Sequence, residues 1–369
     1  MNFKCNKDLL LKEISIAQDI ISTKNTFSIL SYLYLSLKGN NLEIKATDAS
    51  VNFKTIVVVD GIADGETKIL CEKFLMIIKN FPDDTLIIEK LENEVFLRDE
   101  NNKVNFNLNS ITKEEFPEFK NIQQNEYFSI SQKDFIEMIN QTIFSISSDE
   151  TRYFMNGVCL EKDNEENKLK MISTDGRRLS FISKSIDNIP AFNQIIIPQK
   201  ILNIIKKNCL NEGSIDLAIN DNTLFVKIAD MFFSSNLISG QFPGYKKVIP
   251  ENQEFSLIIN KNELLNALRR VDLMIEKNST RKIYLDIKTN NLLLKSERSD
   301  IGEAKESISC EYDKEEMVIA LNSQYLEDPL KVIDTENIEI QFTTSNKAIT
   351  IHAVPKKDYF HIIAPMQKD

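Results

Sequence analysis

Two clusters in the 369-residue sequence have residue types that could carry catalysis. Ser110-Ile111-Thr112-Lys113 fits the S-x-x-K spacing of a serine activated by a lysine. Asp175 stands among arginines in Thr174-Asp175-Gly176-Arg177-Arg178-Leu179. Neither cluster is completed. S-x-x-K fixes two positions only and here lacks its S-D-N and K-T-G companions. An aspartate in a Thr-Asp-Gly turn ordinarily caps its own backbone. The five cysteines, Cys5, Cys71, Cys159, Cys209 and Cys310, are scattered, odd in number and never spaced C-x-x-C. That pattern speaks for reduced thiols rather than a disulfide framework or zinc ribbon. With only His352 and His361 present, a histidine-based metal site is not expected either. The nine glycines form neither common phosphate cradle. The sequence predicts a protein without catalytic site, metal or cofactor.

Composition narrows the class further. Apolar residues make up 42% and charged residues 27%, enough to build cores. Apolar runs such as Ile195–Ile197 and Leu86–Ile88 fall far short of the roughly 20 residues of a membrane span. The first residues, Met1 to Asp8, lack the layout of a signal peptide, so the expected compartment is cytoplasmic. The net charge of −10 by itself argues against nucleic acid. Its distribution is uneven, however. Taking helices at 7–21, 72–80, 131–147, 199–208, 261–277 and 322–333 gives them a slight positive excess, and the acid falls in the rest of the chain. The sharpest case is Gln199–Asn208, which carries Lys200, Lys206 and Lys207 and no acid. It reads either as a solvated helix face or as a face turned to phosphates.

These helices belong to a threefold repeat. An apolar strand followed by an acid-headed helix start recurs at Asp8, Asp134 and Glu263, about 127 residues apart. A second helix start recurs at Phe74, Ile201 and Tyr325. The strand-turn Leu42–Asp48 returns as Leu169–Asp175 and, without its Thr-Asp pair, as Leu292–Arg298. Phe116-Pro117 returns as Phe242-Pro243. Repeats of this kind indicate copies of one unit. The expected domains are residues 1–125, 126–251 and 252–369, with polar connections near Ile122–Tyr127 and Pro250–Glu254. In the first helix Leu10, Ile14, Ala17 and Ile21 form a core-facing stripe, with Lys7, Lys12 and the acids on the other side. Each unit reads helix, strands, helix, strands. The fold class is α+β, with two helices per unit on one face of antiparallel sheet.

The whole length resembles the bacterial sliding clamp, the beta subunit of DNA polymerase III. The resemblance rests on the repeat, on Arg152-Tyr153-Phe154-Met155-Asn156-Gly157, on Thr174–Leu179, on Gly240-Gln241-Phe242-Pro243-Gly244-Tyr245-Lys246-Lys247-Val248-Ile249-Pro250, and on Ile362-Ile363-Ala364-Pro365-Met366 near the end. It implies a ring of two three-domain subunits, head to tail, with helices lining a hole around duplex DNA of any sequence. Implied partners are DNA, a second copy of the chain, the polymerase alpha subunit, the clamp loader and other proteins with a clamp-binding motif. The implied partner cleft uses Met155, Thr174, Gly176, Arg177, Leu179, Pro243, Lys247, Val248, Ile362, Ala364, Pro365, Met366 and Gln367. The family usually has methionine at Ala364 and arginine at Gln367, which implies a shallower pocket here. Implied DNA contacts are Lys24, Lys73, Tyr153, Phe154, Arg178, Lys200, Lys206 and Lys207, with Lys73 standing in for an arginine the family often has at Glu72. The implied dimer contact pairs Phe106 and Leu108 with Leu273 and Met274, and sets Lys73 facing Glu303 or Glu306. The competing readings are a protein-binding scaffold that does not encircle DNA and, less favoured, an enzyme.

Overall fold

The computed structural model describes residues 1–21, 28–111, 114–120, 122–123, 126–163, 165–276 and 280–367. Among them are six α-helices: α1 Lys7–Ile20, α2 Cys71–Asn80, α3 Gln132–Thr142, α4 Gln199–Asn208, α5 Lys261–Asp272 and α6 Ser323–Val332. The repeated helix start has a physical cause. Asn6 accepts from the N–H groups of Asp8 and Leu9, and Asn260 from those of Asn262 and Glu263. Ser131 accepts from the N–H of Asp134 at the same place in the middle repeat. A capping side chain satisfies the orphan donors, and the acid of the first turn complements the helix dipole. In α1 the expected stripe of Leu10, Ile14 and Ala17 is fully buried, and Ile21 just beyond the helix is buried too. Glu13 corrects the outward placement of the acids, because it is only 6% exposed. Burial pushes its carboxyl above the usual range.

The chain forms two compact units. The first comprises Met1–Phe135 and Lys200–Leu237. Its larger sheet runs, in spatial order, Phe128–Ser131, Ser214–Asn220, Thr223–Ile228, Met231–Asn236, Val51–Val58, Asn41–Thr47, Tyr32–Lys38 and Gly65–Leu70. Its smaller sheet runs Asp60–Ala63, Asn2–Asn6, Thr85–Leu91, Glu94–Arg98 and Asn105–Asn109. The second unit comprises Ile136–Gln199 and Ile238–Asp369. Its larger sheet runs Ile195–Pro198, Gly157–Asp163, Lys168–Thr174, Arg178–Ser185, Tyr359–Ile363, Ile349–Val354, Asn337–Phe342 and Phe255–Asn260. The smaller one runs Lys305–Ser309, Asn291–Ser296, Lys282–Lys288 and Met317–Asn322. Neighbouring strands are antiparallel throughout.

The units do not coincide with the sequence repeats, and the sheets explain why. Strands of the middle repeat enter both larger sheets. Met231–Asn236 pairs with Val51–Val58 of the first repeat, and Arg178–Ser185 pairs with Tyr359–Ile363 of the third. Hydrogen-bonded ladders therefore cross the repeat boundaries, so grouping by contact divides the middle repeat. Among the described residues, Asn105–Asn109 and Lys305–Ser309 are outermost strands of the smaller sheets.

Candidate peptide-binding cleft

The Thr174-Asp175-Gly176 turn joins two strands of the second unit and is built from its own side chains. Asp175 accepts from the N–H groups of Arg177 (2.9 Å) and Arg178 (3.1 Å), and the Thr174 hydroxyl donates to the Arg178 carbonyl (2.6 Å). Gly176 has φ +88°, and a Cβ there would come within 3.1 Å of an Arg152 guanidinium nitrogen. Only glycine meets both demands without strain. Asp175 thus caps its turn, as the sequence suggests.

Arg178, an implied DNA contact, is engaged within the chain. Its guanidinium is turned inward, donating from Nε to Asp175 (2.9 Å), from Nη1 to Asp328 on α6 (2.7 Å) and from Nη2 to the Phe144 carbonyl. It also stacks 4.5 Å from the Tyr325 ring centroid. The side chain is 12% exposed, so the arginine ties the turn to α6.

Beside this turn lies a cavity of about 320 Å³. It is lined by nine of the implied cleft residues: Met155, Thr174, Gly176, Arg177, Leu179, Pro243, Val248, Ile362 and Ala364. Leu179 and Ile362 face one another across the strand pair and continue into a buried cluster with Cys159, Ile172, Ile196, Phe242 and Tyr245. The remaining implied residues lie elsewhere. Pro365, Met366 and Gln367 line an adjoining cavity of about 600 Å³ with Arg177, Ala364, Tyr325 and Arg281. Lys247 is exposed on the short turn Tyr245–Val248 and lines neither cavity. The tail is held by its backbone: the Ala364 N–H donates to Arg177 O and the Met366 N–H to Ala320 O, both at 2.8 Å. Pro365, which has no N–H to donate, sits where the chain leaves the sheet.

Arg178, implied at DNA and not at the cleft, lines this cavity as well, and sequence reasoning missed three further lining residues, Gly244, Tyr245 and Ala348. The two former stand inside the Gly240–Pro250 stretch, so that motif could have supplied them. Ala348 gives no signal, because it arrives from the loop before Ile349–Val354. The Tyr245 hydroxyl donates to Glu161 (2.8 Å), and burial together with that bond pushes its phenol well above the ordinary value. Under the cleft floor, His361 is 1% exposed and lies 3.0 Å from Ser180 Oγ and 3.1 Å from Gln141 Oε1. Burial drives its pKa down to about 3, so the imidazole is neutral.

Of the implied DNA contacts, Lys24 lies outside the described residues. Lys73 and Lys206 are exposed, on α2 and α4, without a salt bridge among the described residues. Lys200 is engaged by Asp48 and the Ile20 carbonyl, and Lys207 by Asp19. Burial would raise the Asp48 carboxyl, but the Lys200 ammonium and the Ser50 and Val51 amides hold it below the usual range. Tyr153 is 54% exposed, and its ring meets that of Phe154 edge-on at 5.7 Å. At the implied dimer contact, Phe106 (38% exposed) and Leu108 lie on the outermost strand Asn105–Asn109. Leu273, just past α5, is 78% exposed, and Met274 is half-buried beside Gly302. The acids meant for Lys73 are engaged within the chain, Glu306 by Arg270 and Glu303 by Lys305.

Helix-and-sheet repeats with an apolar cleft beside the Thr174–Leu179 turn fit the class of clamp-type docking proteins. Comparison with known proteins identifies which one. Descriptions of the DNA polymerase III beta subunit match residues 1–120 (N-terminal domain), 129–244 (central domain) and 246–367 (C-terminal domain). The beta sliding clamp of Treponema pallidum is 39% identical over the full length of both chains, and that of Escherichia coli 25%. A crystal structure of a DnaN sliding clamp from Pseudomonas aeruginosa bound to griselimycin is similar at TM-score 0.93, with 25% identity and complete coverage of both chains. The chain belongs to the DNA polymerase III beta-subunit family, the bacterial sliding clamps. Its function is that of a non-catalytic processivity factor in replication.

Proposed function

We propose that two copies of the chain close head to tail into a ring around duplex DNA, and that the cleft of each copy tethers the replicative polymerase, the clamp loader and other proteins by a short peptide. The full-length match to sliding clamps carries this reading. The outermost strands Asn105–Asn109 and Lys305–Ser309 support the dimer, because an unpaired strand edge is a template for pairing with another chain. Phe106 and Leu108 accompany the first edge and Leu273 and Met274 the second, so a head-to-tail contact joins unlike surfaces and closes by symmetry. The apolar cavity beside Thr174–Leu179 fits hydrophobic anchors of a peptide, and the tail residues Pro365, Met366 and Gln367 wall the adjoining cavity.

A topological link removes the need for tight contacts. Mobile, sequence-independent attraction to phosphates, from Lys73 and Lys206 above all, suffices to guide sliding. The net charge of −10 discourages adhesion of DNA elsewhere on the surface. Domains of about 125 residues at 1–125, 126–251 and 252–369 remain the natural repeating units of such a ring. Five buried free thiols support a reducing compartment such as the cytoplasm. Sedimentation equilibrium tests the assembly: the account requires a particle of twice 42.5 kDa at micromolar concentration, and a monomer there overturns it.

A further inference from the structure

The internal repeat puts a second groove at the position corresponding to the cleft. At the repeat distance of about 127 residues, Asn52 corresponds to Leu179, Phe119 to Tyr245 and Ile122 to Val248. Ser234 opposes Asn52 across its strand pair as Ile362 opposes Leu179 across its own. Asn52, Phe119, Ile122 and Ser234 line one cavity of about 150 Å³ in the first unit. The counterpart of the cleft has therefore kept a cavity while changing its chemistry.

The floor is polar where that of the cleft is apolar. Asn52 Nδ2 donates to Ser234 Oγ at 2.9 Å, and Asn52 Oδ1 accepts from the Thr47 hydroxyl at 2.6 Å. The walls stay apolar, with Phe119, Phe225 and Phe232. Ser234 is 6% exposed, and among the described residues its hydroxyl hydrogen finds no acceptor. The Tyr127 hydroxyl and the Lys120 ammonium, both lining the cavity, also have no partner among the described residues. Lys54 is engaged by Glu43 at 2.9 Å. The carboxylates acting on Tyr127 are engaged too, Glu126 by Asn220 and Asp216 by Ser129. Among the described residues three donors without an acceptor thus line the cavity, one of them cationic, and the Asn52 carbonyl oxygen is already used.

An ionised carboxylate is acceptor-only and makes the strongest hydrogen bonds with such donors. The volume is well below the roughly 300–1,000 Å³ of ligand pockets, which suits a single side chain. The aromatic walls suit an aliphatic stem more than a bare phosphate. We propose that this groove is a second docking site, which takes the Asp or Glu side chain of an extended partner segment. It selects charge where the cleft selects apolar bulk. The proposal extends the reading of the chain as a docking clamp and does not depend on what the cleft binds.

Methyl NMR of the full-length protein labelled at isoleucine tests it, because Ile122 lines this groove and Ile362 the cleft. The probes are N-acetyl-Leu-Glu-Leu amide, its Gln analogue and inorganic phosphate. The acidic peptide should shift the Ile122 methyl saturably, and the Gln analogue should bind about tenfold or more weakly, as expected for loss of a charged acceptor. Lys120→Met with Tyr127→Phe should remove the Ile122 response and leave any Ile362 response intact. Ser234→Ala alone should weaken it in a protein whose isoleucine spectrum is otherwise unchanged. An Ile122 methyl that does not respond, or responds equally to the Gln analogue, overturns the proposal. So does phosphate binding as tightly as the peptide, which would make the groove a simple anion site. A failure confined to Ile362 would count against the cleft alone.

Discussion

Arg178 separates two accounts of the same residue, a phosphate contact or an interior tie. Arg178→Met keeps the apolar stem and removes the guanidinium. The change strips one donor from Asp175 and one from Asp328, whose side chains are 14% and 15% exposed. Removing one partner of a buried pair costs about 3–5 kcal/mol. Here both carboxylates keep other donors: Asp175 the amides of Arg177 and Arg178, Asp328 the Gln324 amide and Lys331 at 3.5 Å. The expected loss therefore falls below that range, at about 2–3 kcal/mol. Urea denaturation should show a lower midpoint at unchanged slope. Adding Asp328→Asn should cost less than the sum of the single changes, with a coupling of about 1–2 kcal/mol. A variant that loses less than about 0.5 kcal/mol yet is retained poorly on DNA would refute the interior assignment and restore the phosphate contact.

Further outcomes follow from the same geometry. Truncation after Ala364 removes the wall of the adjoining cavity and one backbone bond, so stability should fall by about 1 kcal/mol while affinity for a hydrophobic clamp-binding peptide drops more than tenfold. Unchanged peptide affinity in a fluorescence titration would show that the tail is no part of the site. Leu273→Ala with Met274→Ala should leave the fold nearly as stable, because Leu273 is 78% exposed in the single chain, but should yield monomers by sedimentation. A persisting dimer at sub-micromolar concentration places the interface elsewhere. The His361 imidazole titrates near 3 in the fold against an ordinary 6.5, so the unfolded chain takes the proton first. Between about 6.5 and about 3 its contribution must fall as pH falls, approaching about 1.4 kcal/mol per pH unit. His361→Gln should lose that slope between pH 6.5 and 5, and equal slopes in the two proteins would contradict a buried neutral histidine.

The parts of the molecule set by local chemistry were legible in the sequence. Asn6, Ser131 and Asn260 cap the first helix of each repeat, which is why an acid-headed start recurs at a fixed distance. The Thr174–Leu179 turn, made by its own side chains, was equally readable. What depends on distant partners was not. Nothing near Glu13 announces that it is buried, and the inward turn of Arg178 is decided by Asp328, 150 residues on. The lysines of α4 read as either a solvated or a phosphate-facing set, and nothing near them in sequence shows that Asp48 and Asp19 engage two of them. Repeat boundaries were visible as spacings, whereas the compact units follow ladders that cross those boundaries, and ladders leave no mark in spacing.

Retention on DNA reads the central claim most directly. The protein is loaded onto a nicked circular duplex by its clamp loader, freed of unbound protein by gel filtration, and the circle is then cut once with a restriction enzyme. A topological link predicts that the clamp stays with the circle and is released on linearisation, at the same rate whatever the DNA sequence. Clamps that remain on the linear DNA, or that never stay on the circle, would show a protein that binds DNA by contact or not at all.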